Sequence, residues 1–253
     1  MLPRISVIIP VFNGEHTIEA AVLSVATQTY DNIELLVMDG GSKDGTVLML
    51  ERLSKIYRLQ YMSEKDKGVY DAMNKGIARA TGEWIFFLGA DDVLYDKDVF
   101  KDIFLGGGLD VKNLDIIYGD VLLKEQNKIY GGAFNKWRIL SKNISHQAIF
   151  YNRALFDKNG HYDLKYSILA DYVFNLKLFA DKSFRAQHIS KIVTVFAEEG
   201  LSSTKRDMAF KKDRNSLIWS QYSLLHYLYG AIIVPFVDLI QKKVLAGVRK
   251  KMS

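Results

Sequence analysis

Trp84-Ile85-Phe86-Phe87-Leu88-Gly89-Ala90-Asp91-Asp92 is the stretch from which the rest of the chain is read. Five large apolar residues in succession have the pattern of a strand buried on both faces, as in the middle of a parallel sheet. The strand runs straight into glycine, alanine and two adjacent carboxylates. Neighbouring carboxylates at the end of a buried strand repel each other unless a cation or solvent relieves them. Mg²⁺ or Mn²⁺ is typically held by one or two such groups, with phosphate oxygens completing the shell. A plainer use is also open, in which Asp92 caps a helix beginning near Asp96.

The same arrangement, an apolar run ending in a polar, glycine-bearing cluster, recurs upstream. Ile5–Pro10 leads into Pro10-Val11-Phe12-Asn13-Gly14-Glu15, and Ile33–Met38 into Asp39-Gly40-Gly41-Ser42-Lys43-Asp44-Gly45-Thr46. Ile18, Ala21, Val22 and Val25 fall on one helical face after the first cluster. A helix to about Ile56 follows the second, then a short strand near Leu59–Met62 and a helix over Val69–Ala80. This alternation predicts an α/β chain with a doubly wound parallel sheet, whose ligands bind at the carboxyl ends of the strands. Glycines there permit close backbone approach, and the following helix N-termini favour phosphate. Neither cluster matches G-x-G-x-x-G or G-x-x-x-x-G-K-[ST], which disfavours a dehydrogenase or a P-loop enzyme. Taken singly, each is also what any capped βα turn contains.

A third cluster, Glu64-Lys65-Asp66-Lys67-Gly68-Val69-Tyr70-Asp71-Ala72-Met73-Asn74-Lys75-Gly76, puts Asp71, Asn74 and Lys75 on one helix face. On spacing alone an exposed polar face explains it. In the second half Ile116–Tyr118, Val121–Lys124, Lys128–Ala133 and Ile192–Phe196 read as strands, and Leu169–Ala180 as an amphipathic helix. From about Ser203 the chain turns helical and basic.

The 253 residues include 49% hydrophobic side chains, enough for a full core, and no cysteine. Disulfides, thiolate metal sites and cysteine nucleophiles are thereby excluded. The opening apolar run is too short for a signal peptide and lacks a cleavage pattern, so a cytoplasmic location is expected. Residues 201–253 hold ten Lys/Arg against three Asp/Glu, while the first 200 residues carry a net charge of −2. A basic tail on a near-neutral body points to an anionic partner surface. Its apolar part, Tyr222–Val237, is interrupted by His226 and Pro235, and is shorter than the ~20 residues of a spanning helix. Two readings stand: an in-plane helix on an anionic membrane surface through 219–253, or a helix packed on the domain or in a dimer. Nucleic acid is not expected, because the charge lies beside an apolar segment rather than across the folded body. A homo-oligomer is left open.

In order and spacing, the four clusters resemble the inverting glycosyltransferases of family two, which have the GT-A fold. The family's hallmarks are an S-V-I-I-P-x-[YF]-N strand, a D-G-S-x-D-G-T turn, a D-x-G-x-x-D-A-x-N-x-G helix and a D-x-D-like metal motif. The resemblance spans roughly residues 4–200 and is greatest to members that build O-antigen, capsule or exopolysaccharide repeat units. It implies a Rossmann-like, mostly parallel sheet flanked by helices over 1–200, with a nucleotide-binding half at about 1–95 and an acceptor-side half at about 96–200. A basic, amphipathic helical extension over 201–253 completes the chain. It also implies a nucleotide-sugar donor with UDP the preferred carrier, a Mg²⁺ or Mn²⁺ cofactor, a glycan or polyprenyl-linked acceptor, and a peripheral place at the inner face of the plasma membrane.

Carried over by position, Pro10, Val11, Asn13 and Glu15 border the nucleotide, and Asp39, with Ser42 beside it, meets the base. Asp66 and Asp71 hold the nucleotide or donor sugar, with Asn74 and Lys75 on the same face. Asp91 lies nearer the ribose or sugar, and Asp92 takes the metal. Ala90 stands where the first carboxylate of D-x-D is usual. The family's catalytic Glu-Asp pair is matched by Ala170-Asp171, which leaves Asp171 as the base, with His146 and Gln147 on the acceptor side. The two alanines keep open a non-catalytic sugar-nucleotide-binding subunit. A sugar nucleotidyltransferase is the other alternative, although Phe12-Asn13-Gly14-Glu15 lacks the basic opening loop of that class.

Overall fold

A computed structural model describes residues 2–197 and 206–237. Its centre is β1 (Ile5–Val11), buried along its whole length. Ile5, Val7, Ile9 and Val11 pack into a core with α1 (Ile18–Ala26), α2 (Thr46–Ile56) and α4 (Val99–Leu105). Ile8 points to the opposite core, formed with α3 (Val69–Arg79) and α6 (Ala170–Ala180). Two covered faces explain why this strand is apolar throughout instead of alternating.

One nine-stranded sheet runs through the molecule. β2 (Ile33–Asp39) and β4 (Trp84–Phe87) flank β1 in parallel, and β3 (Leu59–Ser63) extends β2 in the same sense. The ends of β1, β2 and β4 that carry the polar clusters therefore lie along one edge. Pro10 is tolerated within β1 because β4 pairs with it only as far as Ile8, so the missing N–H removes no ladder bond on that side.

The expectation of a mostly parallel sheet holds for this first half only. β8 (Ile149–Asn152) runs antiparallel between β4 and β6 (Ile116–Leu123). β9 (Ala186–Phe196) is parallel to β6, while β5 (Val93–Leu94) and β7 (Lys128–Tyr130) are antiparallel additions to β9 and β6. The two strands expected at 116–118 and 121–124 are one strand with an irregular register around Asp120. The last strand starts at Ala186, not Ile192, and the helix expected near Asp96 begins at Val99.

A short helix, α5 (Ala154–Asn159), follows β8. After residue 206 come α7 (Met208–Gln221) and α8 (Leu224–Leu228), the latter continued by a π-helical turn over Tyr229–Ile233. The basic residues expected to follow, Lys242, Lys243, Arg249, Lys250 and Lys251, lie outside the described residues. Among the described residues no helix is long and apolar enough to cross a membrane.

Candidate active site

The loops after β1 and β2 are stitched together. Asn13, in the left-handed region at φ 52°, accepts at Oδ1 from the Lys43 amide and donates its own amide to Ser42 Oγ. Glu15 accepts from the Gly45 amide at 2.6 Å, and the Gly14 amide donates to Thr46 Oγ1. Asp39, at the end of β2 and 2% exposed, accepts from the amides of Gly41 and Ser42 and from the hydroxyls of Ser42 and Ser63. Asn13, Glu15, Asp39 and Ser42 thus shape one rigid rim before any ligand arrives, with Pro10 and Val11 beneath it in the strand.

The Asp66 carboxylate lies over this rim. Its carboxyl carbon is 2.9 Å from where a Cβ on Gly40 would sit, so only glycine admits it. Asp66 Oδ1 accepts from the Gly68 amide, and Gly68 takes φ 119° to start α3. Asp71 accepts from the Lys67 amide at 3.0 Å. Lys75 reaches Glu64 at 2.8 Å and the Lys65 carbonyl at 3.1 Å. Asn74 is placed differently from its helix neighbours: its amide group bonds reciprocally to the backbone of Tyr162, at 2.8 and 2.9 Å. It latches the two halves of the molecule.

At the end of β4 both carboxylates fold back over Gly89. Asp91 Oδ1 lies 2.9 Å from the position of an added Cβ there, and Asp92 Oδ2 closer still. Asp92 is 1% exposed, and its oxygens accept from the Ala197 amide at 2.8 Å and from Gln147 Nε2 at 3.1 Å. Burial first, and then the charge of Asp91, push its carboxyl up to about 6 despite opposing contributions from the Ala197 amide, His146 and Gln147. Two oxygen ligands converging over a glycine fit a hard divalent cation that takes its remaining ligands from a diphosphate. Among the described residues no group of three or more His, Cys, Asp or Glu could hold a metal ion alone.

Asp171 opens α6 with a nearly buried side chain. Its Oδ1 accepts from the Tyr70 hydroxyl at 2.6 Å, and its Oδ2 from Asn143 Nδ2 at 2.7 Å, with His146 Nδ1 3.6 Å away. Burial and the Asp171 charge raise the Tyr70 hydroxyl well above the ordinary tyrosine value, so it stays a neutral donor. His146 and Gln147 are adjacent in one turn of 3₁₀ helix (His146–Ala148). The first faces Asp171 and the second holds Asp92, so this turn spans the two carboxylate sites. Tyr70 and Asn143 were not singled out by sequence. Tyr70 stood within the third cluster with no role assigned to it, and nothing marks Asn143 in Ser141-Lys142-Asn143-Ile144.

A parallel half-sheet with carboxylates at its strand ends, joined through one continuous sheet to a half that presents a buried aspartate, is the architecture of a GT-A glycosyltransferase. The model of the family described as Glycosyl transferase family 2 matches residues 6–103. A PGL/p-HBAD biosynthesis glycosyltransferase of Mycobacterium bovis is 41% identical over 218 residues, covering 83% of each chain. An uncharacterized glycosyltransferase of Mycobacterium tuberculosis is 33% identical over 189 residues, 69% of this chain and 68% of its own. The chain belongs to glycosyl transferase family 2 and is a glycosyltransferase. Among solved structures, S. aureus TarS 1–349 in complex with UDP-GlcNAc superposes with a TM-score of 0.69 at 20% identity, over 85% of this chain and 66% of that one. Mannosyltransferase PcManGT from Pyrobaculum calidifontis, in complex with GDP-Man and Mn²⁺, gives 0.61 at 18% identity, over 92% and 65%. The mixed sheet with flanking helices is thus the GT-A fold.

Proposed function

We propose that the chain is an inverting, metal-assisted transferase that moves one sugar from a nucleoside-diphosphate carrier, UDP preferred, to a hydroxyl of a lipid-linked or glycan acceptor in surface glycoconjugate synthesis. The observation that carries this is the pair of carboxylate sites spanned by the His146-Gln147 turn. Asp91 and Asp92 converge over Gly89 on one side, and Asp171 is clamped by Tyr70 and Asn143 on the other.

Asp39 and the rim it organises suit a base and ribose, with Asp66 above them. Asp92, joined by Asp91, which the family resemblance had set nearer the ribose or sugar, would hold Mg²⁺ or Mn²⁺, which when bound neutralises the charge that develops on the diphosphate leaving group. Asp171 takes the proton from the acceptor hydroxyl as that oxygen attacks the anomeric carbon from the face opposite the diphosphate. Two hydrogen bonds fix the carboxylate's orientation, and burial keeps water from competing for it. The relative named for PGL/p-HBAD biosynthesis, and the UDP-GlcNAc and GDP-Man bound by the similar structures, support the substrate class.

The test is Asp171→Asn. Nucleotide binding measured by calorimetry is expected to be unchanged, while transfer falls on the order of 10²–10⁴-fold. Retained turnover would move the base elsewhere. Pyrophosphate released from a nucleoside triphosphate would instead indicate a nucleotidyltransferase.

A further inference from the structure

The tail helices are occupied on one side only. Against the body, Ile218 is buried, and an added Cβ on Gly230 would meet Ile218 at 3.2 Å and Leu140 at 3.5 Å. The Arg214 guanidinium bonds to the carbonyls of Leu140 and Gly230 at 2.6 and 2.8 Å, and the Tyr222 hydroxyl donates to Leu176 O at 2.7 Å. Trp137 stacks on His226 with centroids 4.0 Å apart. The inner face is therefore a finished packing surface. The outer face nonetheless presents Trp219, Leu224, Leu225, Ile232, Ile233 and Phe236, each between 50% and 69% exposed. So many large apolar side chains left exposed along one short stretch of chain call for a partner.

Charge identifies the partner. Lys211 and Lys212 are exposed on α7 before the ridge, and the sixteen residues after Val237 contain five Lys/Arg and one acidic residue. An apolar face with two exposed aromatics, Trp219 and Phe236, preceded and followed in sequence by basic residues, matches an anionic lipid surface. A second copy of the same face would bring the like-charged flanks together.

The ridge is also tied to the cleft. Leu140 lies beneath Gly230, the Ile139 carbonyl accepts from Tyr172 of α6, and Asn143, three residues further, donates to Asp171. We infer that the outer face of α7–α8 lies in the plane of an anionic bilayer and fixes the acceptor-side mouth towards it, so that a lipid-linked acceptor hydroxyl reaches Asp171 from the membrane. The location of this face is independent of the proposed transfer reaction; the route of the acceptor rests on it.

The test is flotation of the full chain with phosphatidylcholine vesicles, with and without phosphatidylglycerol, beside the triple variant L225D/I232D/F236D. The wild type is expected to float with the anionic vesicles, less so as salt is raised, and the variant about tenfold less or lower. Equal flotation of variant and wild type, equal flotation with neutral vesicles, or no flotation of the wild type would each overturn the inference. So would a ridge-dependent dimer that does not float, seen by sedimentation. Unchanged melting temperature and nucleotide affinity in the variant show that its fold and cleft are intact. A wild type that binds nucleotide but does not float removes only the docking face, whereas a wild type that floats without binding any nucleotide removes only the transferase chemistry.

Discussion

Asp92 sits where the sheet can least accommodate a bare charge. Burial and Asp91 raise its carboxyl to about 6, so the folded chain holds that proton more tightly than the unfolded chain does. By linkage, this residue favours the folded state fully at low pH, and its contribution is lost as pH rises from about 4 to about 6, by up to about 3 kcal/mol. In urea titrations without metal, Asp92→Asn should gain stability on the wild type between pH 4 and pH 7, and Mn²⁺ added together with the nucleoside diphosphate should close that gap. A difference between the two proteins that does not vary with pH would contradict the account. Asp91 and Asp92 were legible as a charged pair ending an apolar run, and Asp171 only through the family resemblance. Their supports were not: Tyr70 and Asn143 reach Asp171 across 101 and 28 residues of chain, and no local pattern encodes such a contact. Asn74 shows the converse, since a motif position with a polar side chain serves as a latch to Tyr162.

The helix α3 shows how little slack the elements have. An added Cβ on Gly76 would come 2.5 Å from Ile8 Cγ2, so α3 rests directly on the central strand. Gly76→Ala should destabilise the protein by about 1–3 kcal/mol through overpacking, a fall in melting temperature measurable by calorimetry, while leaving the rim residues in place. An unchanged melting temperature would mean that the helix can lift away freely. The strands and helices of the first half were readable because each strand is an unbroken apolar run bounded by glycine and polar residues. In the second half Gly119-Asp120 has the composition of a turn, yet β6 continues through it, because Gly119 lets β9 approach: its Cβ would meet the Lys191 carbonyl at 2.5 Å. β8 is only four residues long and follows a 3₁₀ turn, too brief for a period to register. Of the two readings of the tail, packing on the body is met on one face, while the other face leaves large apolar side chains exposed.

Across the molecule, the parallel half carries the rim proposed for a nucleotide and the mixed half the aspartate proposed as base, with the Asn74–Tyr162 latch and the His146–Gln147 turn joining them. That arrangement fits a glycosyltransferase whose donor and metal assemble on one side and whose acceptor arrives on the other. The most direct test is calorimetry with a panel of nucleoside diphosphates, UDP first, with and without Mn²⁺, on the wild type and Asp92→Asn. One diphosphate is expected to bind, Mn²⁺ to tighten it in the wild type, and Asp92→Asn to lose the Mn²⁺ dependence. Binding of none of them, or equal affinity with and without Mn²⁺ in the wild type, would contradict it.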